Sequence, residues 1–196
     1  MSILNFQKPD KILLQKATDF HGQFEFKPLE PGFGQTIGNS LRRILLSSLE
    51  GYAISAIRIA GVDHEFSSIP GVVEDVVDII LNIKQIRLKS AVKGDKATEH
   101  QIYITISGQD EFRAKDIESR TNMFKVMNPE LLICKMEPSV NLELEMTITK
   151  GRGYVPAEEN MPENAPIGVI PVDAIYTPLK KVSYHVSNTR VGQRTD

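Results

Sequence analysis

A single cysteine, Cys134, among 196 residues excludes an internal disulfide and fits a reducing compartment such as the cytoplasm. No apolar run approaches the roughly 18 residues that a membrane-spanning helix needs. The first residues, MSILNFQKPDKILLQ, lack the long apolar core and small-residue cleavage site of a secretion signal. Together these absences give the expectation of a soluble cytoplasmic protein. Charge of one sign is also scarce: the formal net charge is −2, so the chain as a whole is no electrostatic binder of nucleic acid, although a local basic patch stays open. His21, His64, His100 and His185 are scattered, and with one cysteine they form no metal-ligand spacing. Asp75 and Asp78, one helical turn apart, and the neighbours Asp63 and Glu65 are ordinary polar faces. Nothing resembles the dense aspartate cluster that holds two magnesium ions for nucleotidyl transfer, and no Ser/His/Asp or Cys/His arrangement is identifiable. No cofactor or metal is expected, and the balance tilts away from an enzyme.

What is present is ordinary globular material. Hydrophobic residues make up 41% and charged residues 24%, enough for one or two domains burying roughly 70% of the unfolded surface. Most of the chain alternates in polarity. Phe24 and Phe26 share a face of QFEFK, Ile57 and Ile59 bracket Arg58, and Ile102, Ile104 and Ile106 alternate with polar neighbours. The clearest case is VNLELEMTIT at 140–149, where Leu142, Leu144, Met146 and Ile148 oppose Glu143, Glu145, Thr147 and Thr149. Val182, Tyr184 and Val186 alternate once more. These read as half-buried strands of mainly antiparallel sheets. A helix is expected over 72–84, with Val73, Val76, Val77, Ile80 and Ile83 as its stripe. Runs of strands with few helices give an α+β class, and 89–99 and 157–166 read as polar surface loops.

Residues 29–51, LEPGFGQTIGNSLRRILLSSLEG, are the most informative. A Pro/Gly-rich turn leads to Thr36 as the expected N-cap, after which Ile37, Leu41, Ile44, Leu45 and Leu49 gather into one apolar stripe at about 100° per residue. The opposite face holds Asn39, Arg42, Arg43 and Leu46. An outward leucine flanked by arginines resembles the centre of a protein–protein contact, although a single exposed leucine is also commonplace on a surface helix.

Two further motifs have bland alternatives. Gly32, Gly34 and Gly38 follow a strand and open a helix, as a phosphate loop does, but the last spacing is one residue too long and no Lys-Ser/Thr follows. A tight turn and close helix packing explain them better. Lys150-Gly-Arg152-Gly-Tyr154-Val-Pro156 could touch single-stranded nucleic acid, or be a turn or bulge in which Tyr154 packs.

Five stretches, LEPGFGQTIGNSLRRILLSSLEG, GVDHEFSSIPGVVEDVVDIILNIK, KGRGYVPAEEN, PIGVIPVDAIYTPLKKVSYHV and RVGQRTD, occur in order along nearly the whole chain and resemble the N-terminal domain of the bacterial RNA polymerase alpha subunit. The resemblance implies a dimerisation and assembly subdomain, 1–51 plus 173–196, interrupted by an inserted, mainly β subdomain at 52–172. It implies a non-catalytic scaffold whose dimer nucleates binding of the beta and beta-prime subunits. On that reading Arg43 and Leu46, with Arg42 beside them, contact beta. Lys84 and Val172 match positions implicated in beta-prime contact. Phe33, Ile37, Leu41, Ile44 and Leu45 form the dimer interface. In the family more strand, a long dimerisation helix, a linker and a DNA-binding domain follow RVGQRTD. Here the sequence stops at Asp196, so direct DNA contact is not expected and dimerisation would be weakened. A chain ending on a polar stretch reads as a fragment of a longer subunit.

Overall fold

The computed structural model describes residues 8–92, 94, 97–161, 165–191 and 194–195. Parts of the loops expected at 89–99 and 157–166, namely 93, 95, 96 and 162–164, lie outside the described residues. The chain divides into two compact units, Met1–Leu45 with Lys181–Asp196, and Leu46–Lys180.

In the first unit β1 (Lys11–Ala17) and β2 (Gly22–Lys27) form an antiparallel hairpin, with Ile12 opposite Phe26 and Leu14 opposite Phe24. Thr18 N–H donates to His21 C=O at 2.8 Å and closes the turn. Helix α1 (Phe33–Ser47) follows Gly32, whose φ of +82° needs a residue without Cβ. The helix therefore begins a turn before Thr36, which lies inside it and is not its cap. None of its fifteen residues is buried. The expected strand at Val182–Val186 does not form. That segment belongs to no ladder, and its period of two has another cause: Tyr184 and Val186 both lean on α1. A Cβ at Gly38 would come within 2.4 Å of the Tyr184 ring, and one at Gly34 within 2.7 Å of Val186. The glycines are smooth seats for these side chains, and the Tyr184 hydroxyl donates to Gln35 Oε1 at 2.9 Å.

The second unit runs β3 (Glu50–Ile59), α2 (Val76–Ile83), β4 (Leu88–Ser90), β5 (Glu99–Ser107), β6 (Glu111–Arg113), α3 (Ala114–Arg120), β7 (Phe124–Val126), β8 (Leu132–Lys135), β9 (Asn141–Arg152), β10 (Tyr154–Val155), a 3₁₀ turn (Ala157–Asn160), β11 (Val169–Pro171) and β12 (Ala174–Ile175). A two-strand hairpin, β13 (Arg190–Val191) and β14 (Arg194–Thr195), belongs to the first unit. The main sheet is six-stranded, ordered β5-β9-β3-β4-β7 with β11 added to β3, and its pairings are antiparallel. The α+β class holds. The alternation read in β5 and β9 sets the register: Ile102, Ile104 and Ile106 stand opposite Met146, Leu144 and Leu142. These six join Ile57, Ile79, Ile83, Phe112, Ile117 and Ile133 in one buried cluster.

Helix α2 starts four residues later than its apolar pattern suggests. Asp75 caps it, its carboxylate accepting from Asp78 N–H at 2.8 Å, while Val72 is held in a β-bridge to Met136. Val73, assigned to the helical stripe by periodicity, is therefore 76% exposed. Ile79, which was not assigned there, is fully buried.

A smaller cluster sits at the other end of β3. Gly51 and Gly151 are directly opposed across β3 and β9. A Cβ at Gly51 would lie 1.9 Å from Tyr176 C=O, and one at Gly151 would lie 2.6 Å from the Tyr176 ring. Tyr176 fills that gap, packs with Ala53 and Ala174, and shares a 2.6 Å hydrogen bond with Thr149 Oγ1.

Candidate functional site

Three surfaces hold the residues singled out by sequence. The first is α1. Arg42 and Arg43 are exposed and Leu46 is half-buried. In the stripe, Ile37, Leu41 and Leu45 are half-buried, Phe33 is exposed, and Ile44 is 53% exposed. An amphipathic helix ordinarily hides such a stripe, because burying an aliphatic side chain contributes about 1.5–3 kcal/mol. Its openness here leaves that stabilisation available to a second surface.

The second surface joins distant segments of the second unit. Lys84 ends α2 as its C-cap, and its Nζ lies 3.1 Å from Asp173 Oδ2. The other Asp173 oxygen accepts from Ala157 N–H at 3.0 Å. The Ala157 amide first, then Lys84 and Tyr154, hold the Asp173 carboxyl below its usual range. Val172, next to it, is fully buried. Tyr154 is 58% exposed, so it does not pack as expected for a turn residue. Asp173 was missed by the sequence reading, since it falls in no periodic stripe. Beside them runs a groove of about 300 Å³ lined by Val77, Ile80, Leu81, Ala157, Ile170 and Pro171.

The third surface is the Lys150–Arg152 turn. Glu50 takes Arg152 at 2.6 Å and Lys150 at 2.9 Å, and Gly153 turns the chain with φ of +64°. Arg152, then Lys150, hold the Glu50 carboxyl down at about 2. Both cations are thus engaged by one carboxylate, which favours the turn over a nucleic-acid contact. The phosphate-loop alternative fares no better, because the faces of Gly34 and Gly38 are taken by Val186 and Tyr184. Among the described residues no three His, Cys, Asp or Glu side chains are grouped to hold a metal ion, and no helix is long and apolar enough to cross a membrane.

Comparison with known proteins converges on one group. Residues 57–177 match the family model described as RNA polymerase Rpb3/RpoA insert domain. The chain is similar to the DNA-directed RNA polymerase subunit alpha of Cytophaga hutchinsonii, with 58% identity over 196 residues covering 100% of this chain and 59% of that protein. The subunit of the same name from Flavobacterium psychrophilum is 56% identical with the same coverage, and that of Salinibacter ruber is 45% identical over 100% of this chain and 58% of the relative. The chain thus spans about three-fifths of the length of these relatives.

Proposed function

The chain belongs to the RNA polymerase alpha-subunit family, and on that premise we propose that it is a non-catalytic assembly scaffold of DNA-directed RNA polymerase. Two copies pair through the α1 stripe of Phe33, Ile37, Leu41, Ile44 and Leu45. Arg43 and Leu46, with Arg42, receive the beta subunit. The Lys84–Asp173 corner, with Val172, receives beta-prime. The discontinuous segment 1–51 plus 173–196 serves dimerisation and 52–172 is the insert. Catalysis lies on other subunits, and the place of work is the cytoplasm.

The observation that carries this reading is α1 itself: a fifteen-residue amphipathic helix without one buried residue, its apolar stripe on one side and Arg42 and Arg43 exposed. Both faces suit partners, and an apolar stripe left open favours association in water.

The test is co-purification with a beta subunit from the same source, wild type beside Arg43→Ala, with the mass of each complex determined. Wild type is expected to capture beta as a complex holding two copies of this chain. Arg43→Ala should weaken capture by about 2 kcal/mol, roughly thirtyfold, with an unchanged circular dichroism spectrum. Equal capture by both proteins would remove Arg43 from the contact, and beta bound by a single copy would remove the pairing.

A further inference from the structure

The cross-strand charges of the main sheet follow a rule with one exception. Glu50 stands opposite Arg152 and Arg58 opposite Glu145, each pair closed by an ion pair at 2.6 Å. Lys89 on β4 stands directly opposite Lys125 on β7. Both are exposed, and neither has an ion pair among the described residues. Directly opposed like charges destabilise a sheet. The other such pair, Lys11 opposite Lys27 in the first unit, is relieved by Glu25, 3.0 Å from Lys27. Among the described residues the Lys89–Lys125 pair has no such relief.

Its surroundings are as specific. Along β7 the side chains alternate strictly, with Phe124 and Val126 each 2% exposed and Lys125 outward between them. The ladder continues one residue at either end, Ala91 N–H donating to Met123 C=O and Met127 N–H to Arg87 C=O, both at 2.8 Å. Met123 and Met127 therefore fall on the outward face with Lys125, and they are 38% and 44% exposed. The result is a lysine pair flanked by two open methionines. Protection of a sheet edge explains a lysine on β7, but it does not explain Lys89 on the strand inside it. The edge is guarded by another device, the Glu118 carboxylate accepting from Val126 N–H at 3.0 Å.

We propose that the outward face of β4–β7, centred on Lys89 and Lys125 between Met123 and Met127, docks an acidic peptide segment carrying apolar residues. The two ammonium groups, held together by register, match adjacent carboxylates. The unbranched, polarisable methionines adapt to aliphatic or aromatic side chains on either side. A peptide is favoured over nucleic acid because the flanks are methionines where single-stranded nucleic acid calls for stacking aromatics. The proposal is independent of the assembly reading, whose residues lie elsewhere.

Fluorescence anisotropy of the full chain tests it. The probes are a labelled short peptide of glutamates interspersed with leucine and phenylalanine, the same peptide with serine for the apolar residues, and a short single-stranded oligodeoxynucleotide. Saturable binding of the first peptide is expected, several-fold weaker for the serine version and weakened by salt. Lys125→Glu should lose about tenfold or more in affinity. It should melt no lower than wild type, because it turns the like pair into an opposite one. If it does melt lower, Lys125→Gln takes its place under the same criterion. Met123→Ser with Met127→Ser should lose several-fold while keeping the salt dependence. Unchanged affinity in the lysine variants overturns the proposal, as does an oligonucleotide that binds more tightly than the peptide.

Discussion

Phe112 and Phe24 both stand in short antiparallel strands, and the molecule treats them oppositely. Phe112 in β6 is fully buried; Phe24 in β2 is 59% exposed. The same contrast runs through the two units. Every buried side chain among the described residues lies between Ala53 and Tyr176, in the second unit. The first unit has an amphipathic helix and a hairpin with aligned apolar residues, and buries none of them. Polarity pattern and burial are thus separate matters. A stripe becomes a core only when a second layer covers it, and the second unit supplies its own layers by wrapping helices and β6–β8 around a six-stranded sheet. The first unit has the pattern without the cover.

Substitutions can sharpen that contrast. The largest effect is expected at Phe112: Phe112→Ala should destabilise the second unit by about 3–5 kcal/mol in urea unfolding, while Phe24→Ala should change stability by less than about 1 kcal/mol. Similar losses at both sites would mean that the first unit has a core of its own. Next come the glycines. Gly51→Ala would drive a methyl into the backbone carbonyl of Tyr176, with about 1–3 kcal/mol of overpacking expected in a thermal melt. Gly38→Ala meets only the 38%-exposed Tyr184 ring, which can swing away, and alanine's helix preference of up to about 1 kcal/mol offsets the displacement. Its melt should stay near wild type. A Gly38→Ala loss as large as that of Gly51→Ala would show the helix seat to be as rigid as the sheet.

The smallest effect concerns Glu50. Its carboxyl is held at about 2 in the folded chain, below the ordinary 4.5. The contribution of this group to stability is therefore fully present above pH 4.5 and is lost as the pH falls through about 2. The whole group is exposed to solvent, so the change in melting temperature should be slight and should shrink in high salt. Glu50→Gln should remove that part of the acid dependence. An unaltered acid limb in the variant would assign it to other carboxylates.

The sheet was legible in the sequence because its strands carry the clean alternation of one covered face. Leu142 to Ile148 and Ile102 to Ile106 could be assigned inward before any coordinates. Helix α2 was misplaced by a turn because Val73 fits a helical period, and only the Asp75 cap and the Val72 bridge to Met136 fix the start. Val182–Val186 misled in the opposite sense, since two side chains leaning on a helix generate the same period as a strand. Tyr176 and Asp173 were illegible for a simpler reason. Their seats are made by Gly51 with Gly151, and by Lys84 with Ala157, which meet only after the chain has folded. The arginine face of α1 could be read from helical spacing, whereas Lys84 and Val172 rested on family resemblance.

The paired glycines beneath Tyr176 have an optical consequence. The chain has no tryptophan and five tyrosines, so its aromatic spectrum is a tyrosine spectrum. Tyr103, Tyr154 and Tyr184 are exposed at 65%, 58% and 38% and Tyr52 is half-buried, while Tyr176 at 6% is clamped between two strands and hydrogen-bonded to Thr149. A ring so held is expected to contribute to the near-ultraviolet circular dichroism, giving the chain an intrinsic reporter on the junction of β3, β9 and β12.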